Sequence, residues 1–111
     1  MVEPVEKNYL EKLFFLLQKK KHEDINKSYT AKLLNDPKLI SKKIGEESVE
    51  VLIEILNKDK KKLVSESADL FYHILVSWVY LDIKPEDVWK ELEKRAVISS
   101  LEKNKRNKNE I

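Results

Sequence analysis

The chain has 111 residues, which suits a single domain, and its one glycine and three prolines are too few for a fold rich in tight turns. It has no cysteine, which excludes disulfides, zinc–thiolate sites and cysteine nucleophiles, and its net charge of +2 gives no electrostatic reason to expect nucleic acid or a membrane surface as a partner. No apolar run approaches the roughly 20 residues of a membrane span and no signal-peptide pattern opens the chain, so we expect a cytoplasmic protein.

Apolar residues at helical spacing, together with capping signals, predict five helices in chain order. The boundaries between helices are marked by Ser28, by Pro37 and Pro85, and by the Asn-Lys-Asp segment at residues 57–59. The predicted helices are about Val5–Lys21, Tyr29–Asn35 after the N-cap Ser28, Pro37–Leu56, Lys60–Leu81 and Pro85–Leu101.

These elements predict an all-α fold, a four-to-five-helix bundle in one domain. We expect the domain to cover residues 1–101. Residues 102–111 contain a single apolar residue and are expected to form a charged, disordered C-terminal tail.

The third and fourth predicted helices are apolar over most of their circumference, and each leaves one narrow polar strip. Glu47 and Glu50 share the strip of the third helix, and Glu66 and Asp69 share that of the fourth, each pair at i,i+3 spacing. Asp69 lies in mid-helix, where aspartate is a poor helix former and has no capping role. A short turn at residues 57–59 makes the two helices antiparallel neighbours, so we expect the four carboxylates to converge.

Four carboxylates in a partly buried groove repel one another unless a cation neutralises them. Hard oxygen ligands suit Mg²⁺, or Mn²⁺ in its place, and such a site leaves positions open for a substrate phosphate. The alternative is a solvent-facing acidic stripe, which is common in charge-rich helices. Two such strips within otherwise apolar helices favour the metal.

The acidic strips and their neighbours resemble a known signature. Residues 46–50 (EESVE) and 66–69 (ESAD) look like the E-E-x-x-E…E-x-x-D signature of the all-α nucleoside triphosphate pyrophosphohydrolases, the MazG-like superfamily. Within it, the chain resembles the phosphoribosyl-ATP pyrophosphohydrolase family of histidine biosynthesis. The matching segments are 28–34 (SYTAKLL), 42–47 (KKIGEE), 66–73 (ESADLFYH) and, more weakly, 91–95 (ELEKR).

The resemblance implies Mg²⁺-dependent hydrolysis of a small nucleotide, phosphoribosyl-ATP, to phosphoribosyl-AMP and pyrophosphate, the second step of histidine biosynthesis. It also implies a homodimer, which the apolar third and fourth helices favour independently because a short chain gives them little cover. Many relatives are fused to the cyclohydrolase of the next step. This chain shows no such domain, so a separate protein is expected to supply it.

By the same resemblance the metal ligands are Glu47, Glu50, Glu66 and Asp69. Glu46 is expected beside them, supporting a ligand or positioning water. Lys43 either reaches a phosphate oxygen as charge builds or forms an i,i+4 ion pair with Glu47. Glu46, Glu47 and Lys43 are therefore the candidate catalytic residues.

Candidate substrate-binding residues come from three other segments. Ser28, Tyr29, Thr30 and Lys32 either bind phosphate at a helix N-terminus or form a capping motif with Tyr29 in the core. Two further candidates carry alternatives of their own. His73 either hydrogen-bonds a ligand carboxylate or is a core histidine with its bonds satisfied, and Arg95 either contacts substrate or lies on the surface.

Two other functions fit the acidic strips. One is a housekeeping MazG-like hydrolase of canonical or damaged (d)NTPs, which the acidic signature alone does not separate from the first hypothesis. The other is a non-catalytic helical interaction module whose acidic groove binds a basic partner. The segments 28–34 and 66–73 favour the phosphoribosyl-ATP hydrolase.

Overall fold

The structure is a computed structural model that describes residues 8–106, with side chains through residue 98. Its helices are α1 (Tyr9–Lys19), α2 (Tyr29–Leu34), α3 (Pro37–Asn57), α4 (Lys60–Leu81) and α5 (Pro85–Arg106), with a 3-10 turn at Lys20–His22 after α1. The described range contains no strand, and the predicted all-α fold is confirmed. Within the same range no helix combines the length and the hydropathy needed to cross a membrane, and the cytoplasmic location stays a prediction.

Side chains cap the starts of three helices, and the sequence predicted one of these caps. The Ser28 hydroxyl accepts a hydrogen bond from the Ala31 amide at 3.1 Å, which confirms Ser28 as the N-cap of α2. Asp36 caps α3 in the same way, with Pro37 in the first turn, and Asp59 caps α4. Each cap satisfies an amide that the helix itself leaves unpaired.

Helices α3 and α4 each end in a Schellman motif. Lys58 and Asp82 adopt left-handed backbone conformations, with φ of 56° and 59°. The amide of the following residue bonds to the carbonyl five residues back, Asp59 to Glu54 and Ile83 to Trp78. The first of these tight ends turns the chain directly from α3 into an antiparallel α4.

Two predicted helix ends are wrong. The last helix does not stop near Leu101 but continues to Arg106, because residues 102–106 include strong helix formers and no proline or glycine. The first helix ends as an α-helix at Lys19, and its last turn tightens into the 3-10 turn, as helix ends often do. Its predicted start at Val5 and the end of the predicted tail, residues 107–111, lie outside the described residues.

The core forms where α1 and α2 pack on the first half of α3 and the second half of α4. Trp78 and Trp89 are half-buried in an edge-to-face pair, and the Trp89 indole donates to Glu11 at 2.8 Å, joining α5 to α1. The central buried residues are Phe14, Leu17, Leu33, Leu34, Ile40, Leu75, Val76 and Val79.

The opposite end of the α3–α4 hairpin lacks this cover. As expected of a short chain that gives these two helices little cover, Leu56 is 80% exposed and Val64 72% exposed. The described part of the chain places α1 and α2 at only one end of the hairpin. The acidic strips lie between the core and this uncovered end.

Candidate metal centre

Carboxylates from α3 and α4 converge at the middle of the hairpin. One oxygen each from Glu47, Glu66 and Asp69 lies within 4.8 Å of the other two. Glu50, one turn after Glu47, lies close enough to Glu66 across the two helices to be the main cause of its raised pKa. The structure therefore brings together all four acids that the sequence nominated as ligands.

One oxygen of this cluster, Oε2 of Glu66, is buried without a hydrogen bond. Oε1 of Glu47 is also buried and has Nδ1 of His73 against it. Glu47 as a whole is only 8% exposed, whereas Glu50 and Asp69 are open to solvent. A buried, unpaired carboxylate oxygen is costly, so a simple solvated stripe does not explain the cluster.

The electrostatics of the cluster disfavour its charged form. Burial raises the pKa of Glu47, while His73 opposes this rise and Asp69 and Glu50 add to it. The hydrogen bond to Glu50 is the largest cause that raises the pKa of Glu66 to about 7, followed by burial and by the neighbouring acids. A cation at this position would relieve the repulsion that causes these rises.

The donor set fits a hard divalent cation. All donors are carboxylate oxygens, which Mg²⁺ and Mn²⁺ accept readily. Two oxygens on opposite sides of one Mg²⁺ are about 4.2 Å apart, close to the spread of the cluster. The exposed side, at Glu50 and Asp69, leaves access for water and for a phosphate group.

His73 lies under the cluster and joins α4 to α3 and α2. Its Nδ1 contacts Oε1 of Glu47 and lies 2.9 Å from the Asp69 carbonyl oxygen. Its Nε2 lies 3.0 Å from the Tyr29 hydroxyl. His73 is 7% exposed, so the two alternatives raised for it coincide: it is a buried histidine with its bonds satisfied, and it contacts a candidate ligand.

The segment around α2 has roles that the sequence only partly indicated. Thr30 is buried and its hydroxyl lies 2.5 Å from the Tyr72 hydroxyl, a partner that the sequence did not single out. Tyr72 also stacks on Tyr29. The alternative that Tyr29 packs in the core is wrong, because its ring is 46% exposed.

An open groove of about 410 Å³ lies beside the exposed face of Tyr29. Ser28 and Lys32, both nominated from the sequence, line it together with Ile25, Asn26 and Lys27. Ser28 is buried and engaged as the N-cap, so the groove presents mainly the two lysines and the Tyr29 ring. Lys27 and Asn26 lie in a loop whose sequence has no apolar periodicity, so no sequence pattern indicated them as groove residues.

The remaining nominated residues differ in their distance from the cluster. Lys43 is half-buried and close enough to lower the pKa of Glu47. Glu46 is exposed and acts on Tyr29, whose pKa is raised by burial first and then by Glu47 and Glu46. Arg95 is exposed on α5 and pairs with Glu91 at 3.2 Å, which fits its surface alternative.

The all-α fold and the paired acidic strips agree with the class that the sequence pattern resembles, the all-α nucleoside triphosphate pyrophosphohydrolases. A sequence model of one of its families, phosphoribosyl-ATP pyrophosphohydrolase, matches residues 10–96. That range contains all four candidate ligands and the segment around α2. The chain therefore belongs to the phosphoribosyl-ATP pyrophosphohydrolase family, whose members are hydrolases.

Individual relatives agree with this membership. The chain is 41% identical over 93 residues to a phosphoribosyl-ATP pyrophosphatase of Gluconobacter oxydans. The aligned region covers 83% of this chain and 70% of the relative. It is 41% identical over 97 residues to the protein of that name from Paramagnetospirillum magneticum, covering 86% and 89%. The Clostridium botulinum protein of that name is 42% identical over 100 residues, covering 89% and 91%.

Proposed function

We propose that this chain hydrolyses phosphoribosyl-ATP to phosphoribosyl-AMP and pyrophosphate, and that the reaction depends on Mg²⁺. The carboxylate cluster, with the buried and unpaired Oε2 of Glu66, is the observation that carries the metal dependence. Family membership supports the substrate, and with it the place in histidine biosynthesis.

In this proposal Glu47, Glu50, Glu66 and Asp69 hold the cation. When bound, Mg²⁺ would neutralise phosphate charge and favour deprotonation of the attacking water. Glu46, one position before Glu47 and exposed, is placed to orient that water or to support a ligand. Lys43 adds a positive charge on the same strip, where a phosphate oxygen would gain negative charge.

The groove beside Tyr29 is the proposed place for the rest of the substrate. Its lysines, Lys27 and Lys32, carry positive charge that attracts a phosphate group. Tyr29 connects the groove to the carboxylate cluster. It lines the groove, and its hydroxyl bonds His73, which lies under the cluster. A nucleotide reaching from the groove to the cluster would put its phosphates near the proposed cation.

Pyrophosphate release from phosphoribosyl-ATP, with and without Mg²⁺, tests the proposal directly. We expect Asp69→Asn to lower kcat by about 100-fold or more, because it removes a charged ligand at the reacting centre. Glu54→Gln is the matched control, since Glu54 lies on α3 one turn beyond Glu50 and bonds Asn57 instead. Its activity should match that of the unaltered chain.

The other outcomes identify the alternatives. Preferred turnover of a dNTP over phosphoribosyl-ATP would identify a housekeeping (d)NTP hydrolase. A melting temperature unaffected by Mg²⁺, with no turnover of either substrate, would identify a helical interaction module.

We also propose that the chain acts as a homodimer. The exposed apolar side chains at the uncovered end of the hairpin support the dimer. A second copy would cover them, since burying apolar surface is the main driving force for such association.

A further inference from the structure

The tautomer of His73 follows from its neighbours. Its Nδ1 contacts a carbonyl oxygen of Asp69 and a carboxylate oxygen of Glu47, and both atoms only accept hydrogen bonds. Nδ1 must therefore carry the hydrogen. In the neutral ring Nε2 is then an acceptor, and the Tyr29 hydroxyl at 3.0 Å donates to it.

Tyr29 is held in place to make this bond. The next residue along α2, Thr30, bonds Tyr72, the residue just before His73 in α4. The two parallel bonds fix α2 against α4, and the rings of Tyr29, Tyr72 and His73 pack on one another. Because the Tyr29 hydroxyl donates to His73, Tyr29 presents its ring to the groove and not a free hydroxyl.

We propose that Tyr29 is a positioning residue that acts on the metal centre through His73. Its hydroxyl donates to Nε2, which adds to the preference, set by Asp69 and Glu47, for the hydrogen on Nδ1. The same bond holds the ring facing Glu47, the most buried of the candidate ligands. Without the hydroxyl, Nε2 loses its donor, so the preference for the Nδ1–H form weakens and the ring is held less firmly against Glu47. The inference rests on the proposed function, because it takes Glu47 as a ligand.

The first test reads the tautomer in the metal-free protein. ¹⁵N-histidine NMR, at a pH above the ordinary pKa of histidine, should show the Nδ1–H form for His73 in the unaltered chain. In Tyr29→Phe the signal should shift toward the Nε2–H form. His22, exposed in the 3-10 turn, serves as an internal reference. An unchanged His73 pattern in Tyr29→Phe would overturn the proposal.

The second test measures Mn²⁺ binding to the free protein by electron paramagnetic resonance. Removing a partner that orients a metal ligand typically weakens binding by about 10- to 100-fold, and we expect a loss of that size in Tyr29→Phe. Tyr72→Phe is the matched control. It breaks the other bond between α2 and α4 but keeps the Tyr29 hydroxyl, so it should lower the melting temperature and change Mn²⁺ affinity and the His73 tautomer much less than Tyr29→Phe does.

A double variant separates action through His73 from direct substrate binding. Adding Tyr29→Phe to His73→Gln should weaken Mn²⁺ binding no further than His73→Gln alone. A Tyr29→Phe variant with a raised KM and unchanged Mn²⁺ affinity would instead make Tyr29 a substrate contact and overturn the inference. Absence of Mn²⁺ binding in the unaltered chain would overturn the proposed function as well, so the two failures are distinguishable.

Discussion

At the scale of single residues, Glu66 links the carboxylate cluster to pH. Its pKa rises from 4.5 to about 7, first through the hydrogen bond to Glu50. The folded, metal-free protein therefore binds this proton more tightly than the unfolded chain. The stabilisation is full below pH 4.5 and is lost as the pH rises through about 7.

We expect the melting temperature of the metal-free protein to fall across this pH range, more than in Glu66→Gln. The amide cannot ionise, so the difference between the two curves isolates Glu66. Differential scanning fluorimetry over the pH series measures it. Mg²⁺ should remove the fall in the unaltered chain, and Glu54→Gln should behave like that chain. Parallel curves for the unaltered chain and Glu66→Gln would contradict the prediction.

Gly45 gives a second prediction at this scale. It lies inside α3, and a Cβ built on it meets no atom within 4 Å. Glycine inside a helix costs about 0.5–1 kcal/mol relative to alanine, so Gly45→Ala should stabilise the free chain by that amount in urea unfolding.

The activity of Gly45→Ala extends this prediction. Equal turnover is expected, because nothing in the described chain needs the space. A more stable variant with impaired turnover would show that substrate or a second subunit passes over Gly45. A destabilised variant would contradict the prediction itself.

The site was predictable from sequence where its residues lie on one helix. The i,i+3 pairs Glu47–Glu50 and Glu66–Asp69 follow from helical geometry alone. The bond between Tyr29 and His73 joins residues 44 positions apart, and the packing of α2 on α4 creates it. Tyr72 was missed for the same reason, since its partner Thr30 lies on another helix.

At the scale of elements, the two Schellman motifs carry backbone strain. Lys58 is exposed and has a left-handed conformation that glycine adopts at no steric cost. We expect Lys58→Gly to stabilise the fold by about 1 kcal/mol. Lys42→Gly, at an exposed position inside α3, is the control and should destabilise by about 1 kcal/mol. Urea unfolding measures both, and equal losses in the two variants would contradict the strain argument.

Helix starts were more predictable than helix ends. Ser28 and Pro37 signal a start through a side-chain cap and a fixed backbone angle, both local effects. The sequence predicts that the last helix ends near Leu101, because the apolar periodicity fades there. The helix nevertheless continues to Arg106, because intrinsic propensity sustains it without an apolar face.

At the scale of the whole molecule, the chain is less compact than its length allows. Its radius of gyration is 17.1 Å, against about 13 Å for a compact domain of this length. The excess agrees with a hairpin whose far end carries the exposed Leu56 and Val64. An apolar surface of this kind favours association with a second subunit.

The proposed dimer gives a prediction at this scale. The double variant Leu56→Glu, Val64→Glu should be monomeric in light scattering after size exclusion, where we expect the unaltered chain to elute as a dimer. Charges at a buried apolar interface are costly, so dissociation is expected. Phe15→Glu is the matched control, since Phe15 is 62% exposed on α1, away from the hairpin end. If Phe15→Glu dissociates the dimer and the double variant does not, α1 forms the interface instead.

The sequence by itself determined the all-α class, most helix starts and the four converging carboxylates, because these depend on periodicity, caps and spacing within a helix. Tertiary structure decided that Oε2 of Glu66 is buried without a partner, and that His73 lies between Glu47 and Tyr29. It also decided that one end of the hairpin stays uncovered. Burial and contacts between distant segments arise only when helices pack, so no local pattern encodes them.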